Sequence, residues 1–575
     1  MEERKKITDK NKKILKIAFN ILAIFCIAVF CFALTPKEFQ NDTFYTIKLG
    51  QSIRVDGIDG VDHYSIHGLP YTYPHWLYDV IISLIYDYVG GFTGIYISTA
   101  ILAIILGITL YFTVKKISKN SLIAFAITLG QMYLMQDYIT ARAQLVTFVL
   151  FVLTVLFIEK FLESGKKRYA VGLIIIPIVI ANVHAAVFPF YFVLYLPYIG
   201  EYLVRLIIDA HLPFKAYKTF LNLKIKRTNE KLKKVSKQEA TKYQTKLASL
   251  NKELEEIAQK HELDTAKQIE KRKRPYKLKI EKIDRIKWLI LIMVVCLFTG
   301  LLTPIGDMPY TYTLKIMQGN TTESISEHLP LTLINNKPIL ISLALFIGLL
   351  IFSDVKIRLR DVFMVGGLTL LALMSRRQVS MLVLFGGMVL AKILADILTK
   401  YDKKGTNEVM SFMTTTVGEV LTILFVFSIS YYVYVPNTNA QYLNTSSYPI
   451  EAATWIKENL DYKNIRLFND YNYGSYLLFE DIPVFIDSRC DLYTPEFNGE
   501  KGEDGKYDGQ DIFSDYMNIS SIATYYDTKF KEYDITHIIT KSNSKLNMLI
   551  SRDDGYNEIY SDDNFKIYER EINNE

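Results

Sequence analysis

Residues 14–34 read ILKIAFNILAIFCIAVFCFAL, and this stretch decides the fold class. Its length matches the roughly 20 apolar residues that a helix needs to cross the hydrocarbon core of a bilayer. Comparable apolar blocks recur about eleven times along the chain. The sequence therefore predicts an α-helical polytopic membrane protein, and it excludes a soluble enzyme, a disordered chain and a fibre.

The composition agrees with this class. Of 575 residues, 50% are hydrophobic, and the mean hydropathy of +0.15 is too high for an ordinary soluble protein. The four cysteines form no CxxC or Cys/His cluster, so neither a disulfide framework nor a zinc site is indicated. No P-loop or GxGxxG motif is present. We therefore expect no cofactor, no metal and no nucleic-acid partner.

The ends of the apolar blocks predict the topology. The predicted spans are 14–34, 93–114, 121–135, 145–158, 169–186, 190–207, 288–303, 339–352, 362–374, 381–397 and 417–435. Basic residues precede the first span and recur in alternate loops, as cytoplasmic segments require. This pattern places the N-terminus in the cytoplasm and the C-terminal segment outside the plasma membrane. It requires the short helical stretch 76–88, which carries Asp79 and Asp87, to lie on the outer surface rather than to cross.

Three segments stand out from this transmembrane domain of residues 1–435. Residues 35–91 form a long external loop, and long ordered loops are usually functional. Residues 208–287 form a basic cytoplasmic insertion with coiled-coil-like or hairpin helices; from Lys215 to Lys287 it has 23 Lys and Arg against 10 Asp and Glu, or 23 − 10 = +13. The insertion is either a solvated helix that touches anionic lipid or the site of a protein partner.

The third segment, residues 436–575, has 13 Lys and Arg against 26 Asp and Glu, or 13 − 26 = −13. Short apolar runs alternate there with helix-like stretches, which predicts an extracytoplasmic α/β domain. The predicted strands are 465–468, 483–486, 535–539, 558–560 and 565–568. The predicted helices are 449–459, 512–523 and 545–550.

Asp42, just beyond the first span, is the first candidate for chemistry. A carboxylate there lies where the headgroup of a lipid-linked substrate is expected, and it could deprotonate an acceptor hydroxyl as a general base. Alternatively, Asp42 caps a helix that starts at Thr43.

The run from Asn41 to Lys116 resembles the start of the GT-C glycosyltransferases, which include protein mannosyltransferases and aminoarabinose transferases. In that pattern an acidic pair opens the first external loop, a G-x-P-Y stretch follows, and a surface helix leads into the second span. Here the pair is reduced to Asn41-Asp42, Gly68-Leu69-Pro70-Tyr71 is present, and Tyr73-Pro74-His75 replaces the usual acidic-basic-proline stretch. The resemblance implies a polyprenyl-phosphate-linked sugar donor, an extracytoplasmic glycan, lipid or protein acceptor, and Asp42 as catalytic base.

A second resemblance is to large bacterial membrane proteins that are usually described only by an expected glycosyltransferase activity. It rests on motifs at 182–184, 303–306, 375–378, 469–471 and 484–491.

Several charged residues fall at the predicted external ends of spans, on the side of Asp42. We expect Arg142, Arg376 and Arg377 to hold a lipid phosphate, because a guanidinium fork suits phosphate, although arginine at a span end also snorkels to headgroups. His184 is either a substrate contact or an interhelical hydrogen-bonding group. The external pair Glu327-His328 is a weaker candidate, either as a second acid/base pair or as a metal pair.

The stretch Asp487-Ser488-Arg489-Cys490-Asp491 follows a predicted strand. Asp487, Arg489 and Asp491 there either bind substrate or form a self-satisfied ion-pair turn.

Two other functions remain open. One is a non-catalytic membrane protein whose external domain binds a cell-surface polymer or partner. The other is a transporter or flippase of a lipid-linked substrate, for which we see no internal repeat or buried charge pair.

Overall fold

The computed structural model describes residues 2–209, 212–233, 237–271, 277–319, 325, 327–332, 334, 336–402, 404–438 and 440–571. Its first thirteen α-helices are α1 Glu2–Leu34, α2 Asn41–Asp56, α3 Trp76–Tyr88, α4 Gly91–Ser118, α5 Ser121–Leu134, α6 Ala143–Ser164, α7 Lys167–Val183, α8 Phe188–Val193, α9 Leu196–Asp209, α10 Leu212–Leu232, α11 Lys237–Lys271, α12 Ile286–Leu297 and α13 Met308–Gln318. The later ones are α14 Lys337–Phe352, α15 Leu359–Met374, α16 Val379–Met381, α17 Gly387–Tyr401, α18 Gly405–Met413, α19 Thr416–Thr438, α20 Ile450–Asn459, α21 Tyr471–Phe479, α22 Pro495–Asn498, α23 Ile512–Ser521, α24 Tyr526–Glu532 and α25 Lys545–Ile550.

Long apolar helices dominate the first three quarters of the chain. In the part that the structure describes, six helical segments are long and apolar enough to cross a membrane: Lys13–Leu34, Gly91–Ser118, Ala143–Ser164, Ala185–Ile208, Arg376–Tyr401 and Thr416–Asn437. Shorter apolar helices are Ser121–Leu134, Ile286–Leu301 and Lys337–Phe352. Every predicted span overlaps a helix. The protein is therefore a helical, membrane-associated protein with a small sheet near its C-terminus.

These helices pack into one bundle with a continuous apolar core. A π-helical turn, Leu382–Gly386, connects α16 to α17. Gln131 on α5 donates its side-chain amide to the carbonyl oxygens of Val383 (3.0 Å) and Leu384 (2.7 Å) in that turn. Freed carbonyls in an apolar core need such partners, so Gln131 compensates the irregular backbone.

The loop 35–91 is structured as two helices that pack on each other. The predicted helix over 76–88 is confirmed as α3. The other, α2, crosses α3 so closely that a Cβ at Gly50 would overlap the carbonyl of Asp79. The buried Phe44 of α2 stacks edge-on against Tyr448 and Tyr476, with ring centroids 4.9 and 5.3 Å apart. The loop and the C-terminal domain therefore share one core.

The C-terminal domain contains a four-stranded sheet in the order β3–β4–β6–β5. Its strands are β3 Leu467–Phe468, β4 His537–Lys541, β5 Tyr556–Ser561 and β6 Phe565–Arg570. β3 and β4 are parallel, and the other pairs are antiparallel. The mixed α/β character is as predicted.

The predicted strand 483–486 is wrong, because this segment pairs with the loop rather than with the sheet. Val484 forms an isolated bridge with Ser65, and its backbone N–H donates to the Tyr64 carbonyl oxygen at 3.0 Å. The segment thereby connects the loop 35–91 to the domain.

The basic insertion folds as a helical hairpin. Helices α10 and α11 meet through a stacked pair of rings, Phe214 and His261, and through a hydrogen bond from Tyr217 to Glu253 of 2.7 Å. Near its return to the bundle, β1 (Leu278–Lys279) pairs in parallel with β2 (Ile357–Arg358).

Beside this strand pair, buried charges join the insertion to the bundle. Arg358 binds Asp361 at 2.7 Å, and Arg360 binds Glu281 at 2.7 Å. Both arginines are therefore buried in an ion-pair network.

Candidate functional site

A polar cavity of about 310 Å³ lies where the bundle, the loop 35–91 and the C-terminal domain meet. Its walls come from the start of α2, from the ends of bundle helices and from the segment 488–492 of the domain. The charged and histidine side chains that line it are Asp42, His75, Arg142, His184, Glu327, His328, Arg377, Arg489 and Asp491. Eight of the ten candidate residues named from the sequence are among them, and the other two, Arg376 and Asp487, do not line the cavity.

Asp42 lies in the first turn of α2 and forms an ion pair with Arg142. The helix begins at Asn41 and its N-cap is Gln40, so the alternative role of Asp42 as the cap of a helix starting at Thr43 is wrong. An aspartate in a first turn still favours the helix through the macrodipole. The Asp42 side chain is 16% exposed, which leaves it accessible from the cavity.

Arg142 immediately precedes α6 and bridges two carboxylates. Besides Asp42, it contacts Glu327 with 3.4 Å between Nη1 and Oε1. Burial by itself lowers the pKa of Arg142, but the charges of Asp42 and Glu327 outweigh it and raise that pKa above its usual value. Burial conversely raises the pKa of Glu327, and the charges of Arg142 and Arg377 bring it below its usual value. Both groups are thus ionised at neutral pH.

The two neighbouring arginines after α15 have different surroundings. Arg377 lines the cavity, and its guanidinium has no hydrogen-bond or ion-pair partner among the residues that the structure describes. Arg376 instead directs Nε at the carbonyl oxygen of Pro330, at 3.4 Å. Judged by the described residues, the Arg377 guanidinium is therefore available to an incoming anion.

Arg489 connects the loop to the domain. Its guanidinium binds Asp62 of the loop at 2.8 Å, and it binds Asp487 through Nε at 2.9 Å and Nη2 at 2.6 Å. The rings of Tyr71 and Tyr64 lie 5.0 and 6.0 Å from its guanidinium carbon. The ion-pair turn that the sequence offered as an alternative is present, and Asp487 lies behind Arg489 rather than in the cavity.

Asp491 faces the cavity from the domain side. It accepts a hydrogen bond of 2.7 Å from Tyr312 of α13. Burial, followed by the charge of Asp491, raises the pKa of the Tyr312 hydroxyl well above its usual value, so this hydroxyl is a donor at all physiological pH values. The contact also ties α13 to the domain.

His184 follows α7 and makes the interhelical hydrogen bond that its position suggested. Its Nδ1 lies 3.1 Å from the Thr147 hydroxyl of α6. The His75 ring, from the segment before α3, is 5.6 Å away between centroids. The two histidines form one side of the cavity.

The sequence reasoning missed several lining residues. His75 belongs to the Tyr73-Pro74-His75 stretch, which was noted only as a departure from a motif. Tyr71 ends the quoted Gly68-Leu69-Pro70-Tyr71 stretch, Tyr471 ends the quoted motif 469–471, and Asn472 follows it. Tyr45 and Tyr312 gave no signal among 40 tyrosines. Within the described residues, no group of three or more His, Cys, Asp or Glu side chains is arranged to hold a metal ion.

An apolar cleft of about 340 Å³ lies between α5, α14 and the π-helical turn, which begins five residues after Arg377. Its lining is aliphatic and aromatic apart from Gln131 and Ser342. The arrangement thus combines an apolar cleft with a cavity that contains an available guanidinium and an accessible carboxylate.

Comparisons with known proteins identify no family for this chain. No family model matches it, and no curated protein matches it significantly.

Proposed function

We propose that this protein is a membrane glycosyltransferase that transfers a sugar from a polyprenyl-phosphate-linked donor to an extracytoplasmic acceptor. It crosses the plasma membrane about eleven times, with the N-terminus and the basic insertion in the cytoplasm. The loop 35–91, the cavity and the C-terminal domain then lie outside, and the fold belongs to the GT-C type.

One observation carries this proposal: the cavity contains an accessible carboxylate, Asp42, and the guanidinium of Arg377, which has no hydrogen-bond or ion-pair partner in the part of the chain that the structure describes. A glycosyl phosphate donor needs both groups, because its acceptor hydroxyl must lose a proton while its leaving phosphate gains charge. A guanidinium binds phosphate through two parallel N–H bonds, so Arg377 is suited to stabilise the leaving phosphate.

The reaction is an inverting displacement. The acceptor oxygen forms a bond to the anomeric carbon, the bond from that carbon to the phosphate oxygen breaks, and its electron pair leaves with the lipid phosphate. The hydroxyl proton passes to Asp42. Arg142 is paired with Asp42 before substrate binds, and the incoming phosphate competes for this guanidinium and frees a carboxylate oxygen to act as base.

The apolar cleft supports a lipid-linked donor. It opens between bundle helices in the segment that follows Arg377. A polyprenyl chain in this cleft would be buried among aliphatic side chains while its phosphate reached the cavity. Each buried methylene group of such a chain contributes about 0.8 kcal/mol.

The topology is supported by where helix ends meet. The cavity gathers residues that follow α1, precede α6, follow α7 and follow α15: Asp42, Arg142, His184 and Arg377. The proposed spans bring these same ends to one side of the membrane. The C-terminal domain contributes Arg489 and Asp491 to the cavity, which supports a role for this domain in orienting an acceptor.

The test is sugar transfer by the purified protein in lipid nanodiscs, with a panel of radiolabelled polyprenyl-phosphate sugars and several acceptors. We expect Asp42→Asn to lower the rate at least about 100-fold, the range for losing a general base. Asp56→Asn, at the exposed end of the same helix, serves as the matched control and should stay within about twofold of the wild type.

Two outcomes contradict the proposal. Transfer that survives in Asp42→Asn assigns the base to another residue, with Glu327 next in the cavity. Absence of transfer over the whole panel, with folded protein, favours a binding or transport function.

A further inference from the structure

Three tyrosines line the cavity and take no part in the proposed reaction: Tyr45 of α2, Tyr71 of the loop 35–91 and Tyr471 at the start of α21. We call these three side chains the cavity phenols. Tyr45 and Tyr71 are 6% and 7% exposed, so each is more than nine-tenths buried. None of the three hydroxyls has a hydrogen-bond partner among the residues that the structure describes. Leaving a buried hydroxyl without a partner is costly, so these groups indicate a polar ligand.

Asp491 adds a carboxylate that can form further hydrogen bonds. Its Oδ2 accepts from the Tyr312 hydroxyl at 2.7 Å, and its Oδ1 accepts only a weak bond from Cys490 Sγ, at 3.6 Å. A carboxylate can accept about four hydrogen bonds. Within the described part of the chain, Asp491 has no ion-pair partner. It can therefore accept hydrogen bonds from a ligand in the cavity.

Tyr471 is held beside the proposed base. The side-chain amide of Asn41 donates to the Tyr471 carbonyl oxygen at 2.8 Å, and the Tyr471 backbone N–H donates to the Tyr516 hydroxyl at 3.2 Å. Since Asn41 immediately precedes Asp42, the first turns of α2 and α21 meet at the cavity. Burial, with the neighbouring Cys490 and Asp42 groups, raises the pKa of Tyr471 well above its usual value. Its hydroxyl therefore stays protonated and can both donate and accept.

The three parts of the proposed donor differ in their hydrogen-bonding groups. The polyprenyl chain has none, the phosphate oxygens of the diester only accept, and the sugar hydroxyls both donate and accept. The Asp491 carboxylate repels a phosphate but pairs with hydroxyl donors, and it also disfavours an acidic sugar. Phenol hydroxyls suit the same partner, and tyrosine rings offer an apolar face to a sugar ring. The carboxylate and the cavity phenols thus match the sugar.

The size of the cavity limits what it can hold. Its volume of about 310 Å³ is at the lower end of the range of about 300–1,000 Å³ for ligand pockets. This volume suits a single sugar unit rather than a longer glycan.

We propose that Asp491 and the cavity phenols form the subsite for the donor sugar, which is a single non-acidic sugar with free ring hydroxyls. This inference rests on the proposed function and names the class of sugar that it transfers. Asp491 accepts hydrogen bonds from ring hydroxyls, while Arg377 holds the phosphate at the other end of the same ligand. Tyr312 acts through Asp491 as a positioning residue. The C-terminal domain then contacts the donor sugar as well as the acceptor.

The test compares the binding of two kinds of polyprenyl phosphodiester to the full-length protein in nanodiscs. One kind carries glucose, mannose or galactose, which have the same hydroxyl groups in different orientations. The other carries a methyl group, so it keeps the charge of the diester and lacks the sugar. Because both kinds share the lipid chain and the phosphate, the ratio of their affinities measures the sugar contact alone.

We expect the wild type to bind at least one of the three sugar diesters about tenfold or more tightly than the methyl diester, as several hydrogen bonds provide. Asp491→Asn should lower this ratio at least about fivefold, because it replaces charge-assisted hydrogen bonds by neutral ones. It should change the affinity for the methyl diester less than about twofold. The asparagine oxygen can still accept from Tyr312, so the contact with α13 is kept.

Substitutions of tyrosine by phenylalanine remove one hydroxyl at a time. Tyr45→Phe and Tyr71→Phe should each lower the ratio at least about twofold. The matched control is Tyr476→Phe, whose hydroxyl lies 3.4 Å from Glu480 outside the cavity, and it should leave the ratio unchanged. Arg377→Gln should weaken the binding of both kinds of diester equally.

Equal affinity of the wild type for the methyl diester and all three sugar diesters overturns the inference, as does an unchanged ratio in Asp491→Asn. Should Asp491→Asn not fold, unchanged ratios in both Tyr45→Phe and Tyr71→Phe overturn it. A diester of glucuronic acid that binds more tightly than the three neutral sugars also contradicts it. Sugar-dependent binding without transfer to any acceptor contradicts the proposed function alone, and sugar transfer without sugar-dependent affinity contradicts this inference alone.

Discussion

Replacing Arg489 by methionine tests how the C-terminal domain is held on the loop 35–91. The Arg489 side chain is 3% exposed, and those of Asp62 and Asp487 are fully buried. Methionine fills similar volume but leaves two buried carboxylates without their cation. Removing one partner of a buried ion pair costs about 3–5 kcal/mol, so we expect the free energy of unfolding of the domain to fall by about that amount.

The assay is urea unfolding in detergent, followed by the fluorescence of Trp455, which lies in the domain. Arg552→Met replaces an exposed arginine of the same domain and should change the free energy of unfolding by less than about 0.5 kcal/mol. Removing both carboxylates as well, with Asp62→Asn and Asp487→Asn, should recover part of the loss, because no buried charge then remains unpaired. A loss below about 1 kcal/mol in Arg489→Met would refute the reasoning.

Two further predictions concern the same loop. His67 Nε2 lies 2.9 Å from the carbonyl oxygen of Phe485, and burial lowers the pKa of His67 to about 4. Because the unfolded chain binds a proton below about pH 6.5 and the folded chain does not, acidification from pH 7 to pH 5 should lower the free energy of unfolding by about 2 kcal/mol. Thermal unfolding of His67→Gln should lack this pH dependence. Gly50→Ala places a Cβ onto the carbonyl of Asp79 and should lower the midpoint of thermal unfolding, whereas Gly130→Ala, with open space around it, should leave the midpoint unchanged or raise it. A Gly50→Ala protein as stable as the wild type would contradict the close crossing of α2 and α3.

The helices were predictable because their signal is local. Each predicted span is a run of apolar residues that overlaps a helix, and the amphipathic stretch 76–88 forms α3 with those bounds. The helix α2 was less evident, since its sequence is polar at its start and its apolar residues face a domain that begins about 400 residues later. Phe44 is buried by Tyr448 and Tyr476, and such a long-range contact has no signature within residues 41–56.

The site was predicted in composition but not in geometry. Asp42, Arg142 and Arg377 could be named because charges at the ends of apolar helices are rare and costly. That Arg376 turns away while Arg377 faces the cavity follows from the backbone after α15, which the sequence does not specify. Arg489 illustrates the same limit: its partner Asp62 lies 427 residues away.

The neighbouring arginines offer the most direct test of the central claim, that the cavity binds the phosphate of a lipid-linked donor. Arg377→Gln and Arg376→Gln change the same residue type at adjacent positions, but only Arg377 lines the cavity. The measurement is the KM for the polyprenyl-phosphate sugar, together with the affinity for polyprenyl monophosphate, in nanodiscs. We predict that Arg377→Gln raises the KM and lowers the affinity about tenfold or more, because it removes a charge-assisted hydrogen bond of about 1.5–3 kcal/mol. Arg376→Gln should change either quantity less than about twofold. Equal effects of the two substitutions, or a larger effect at Arg376, would contradict the account.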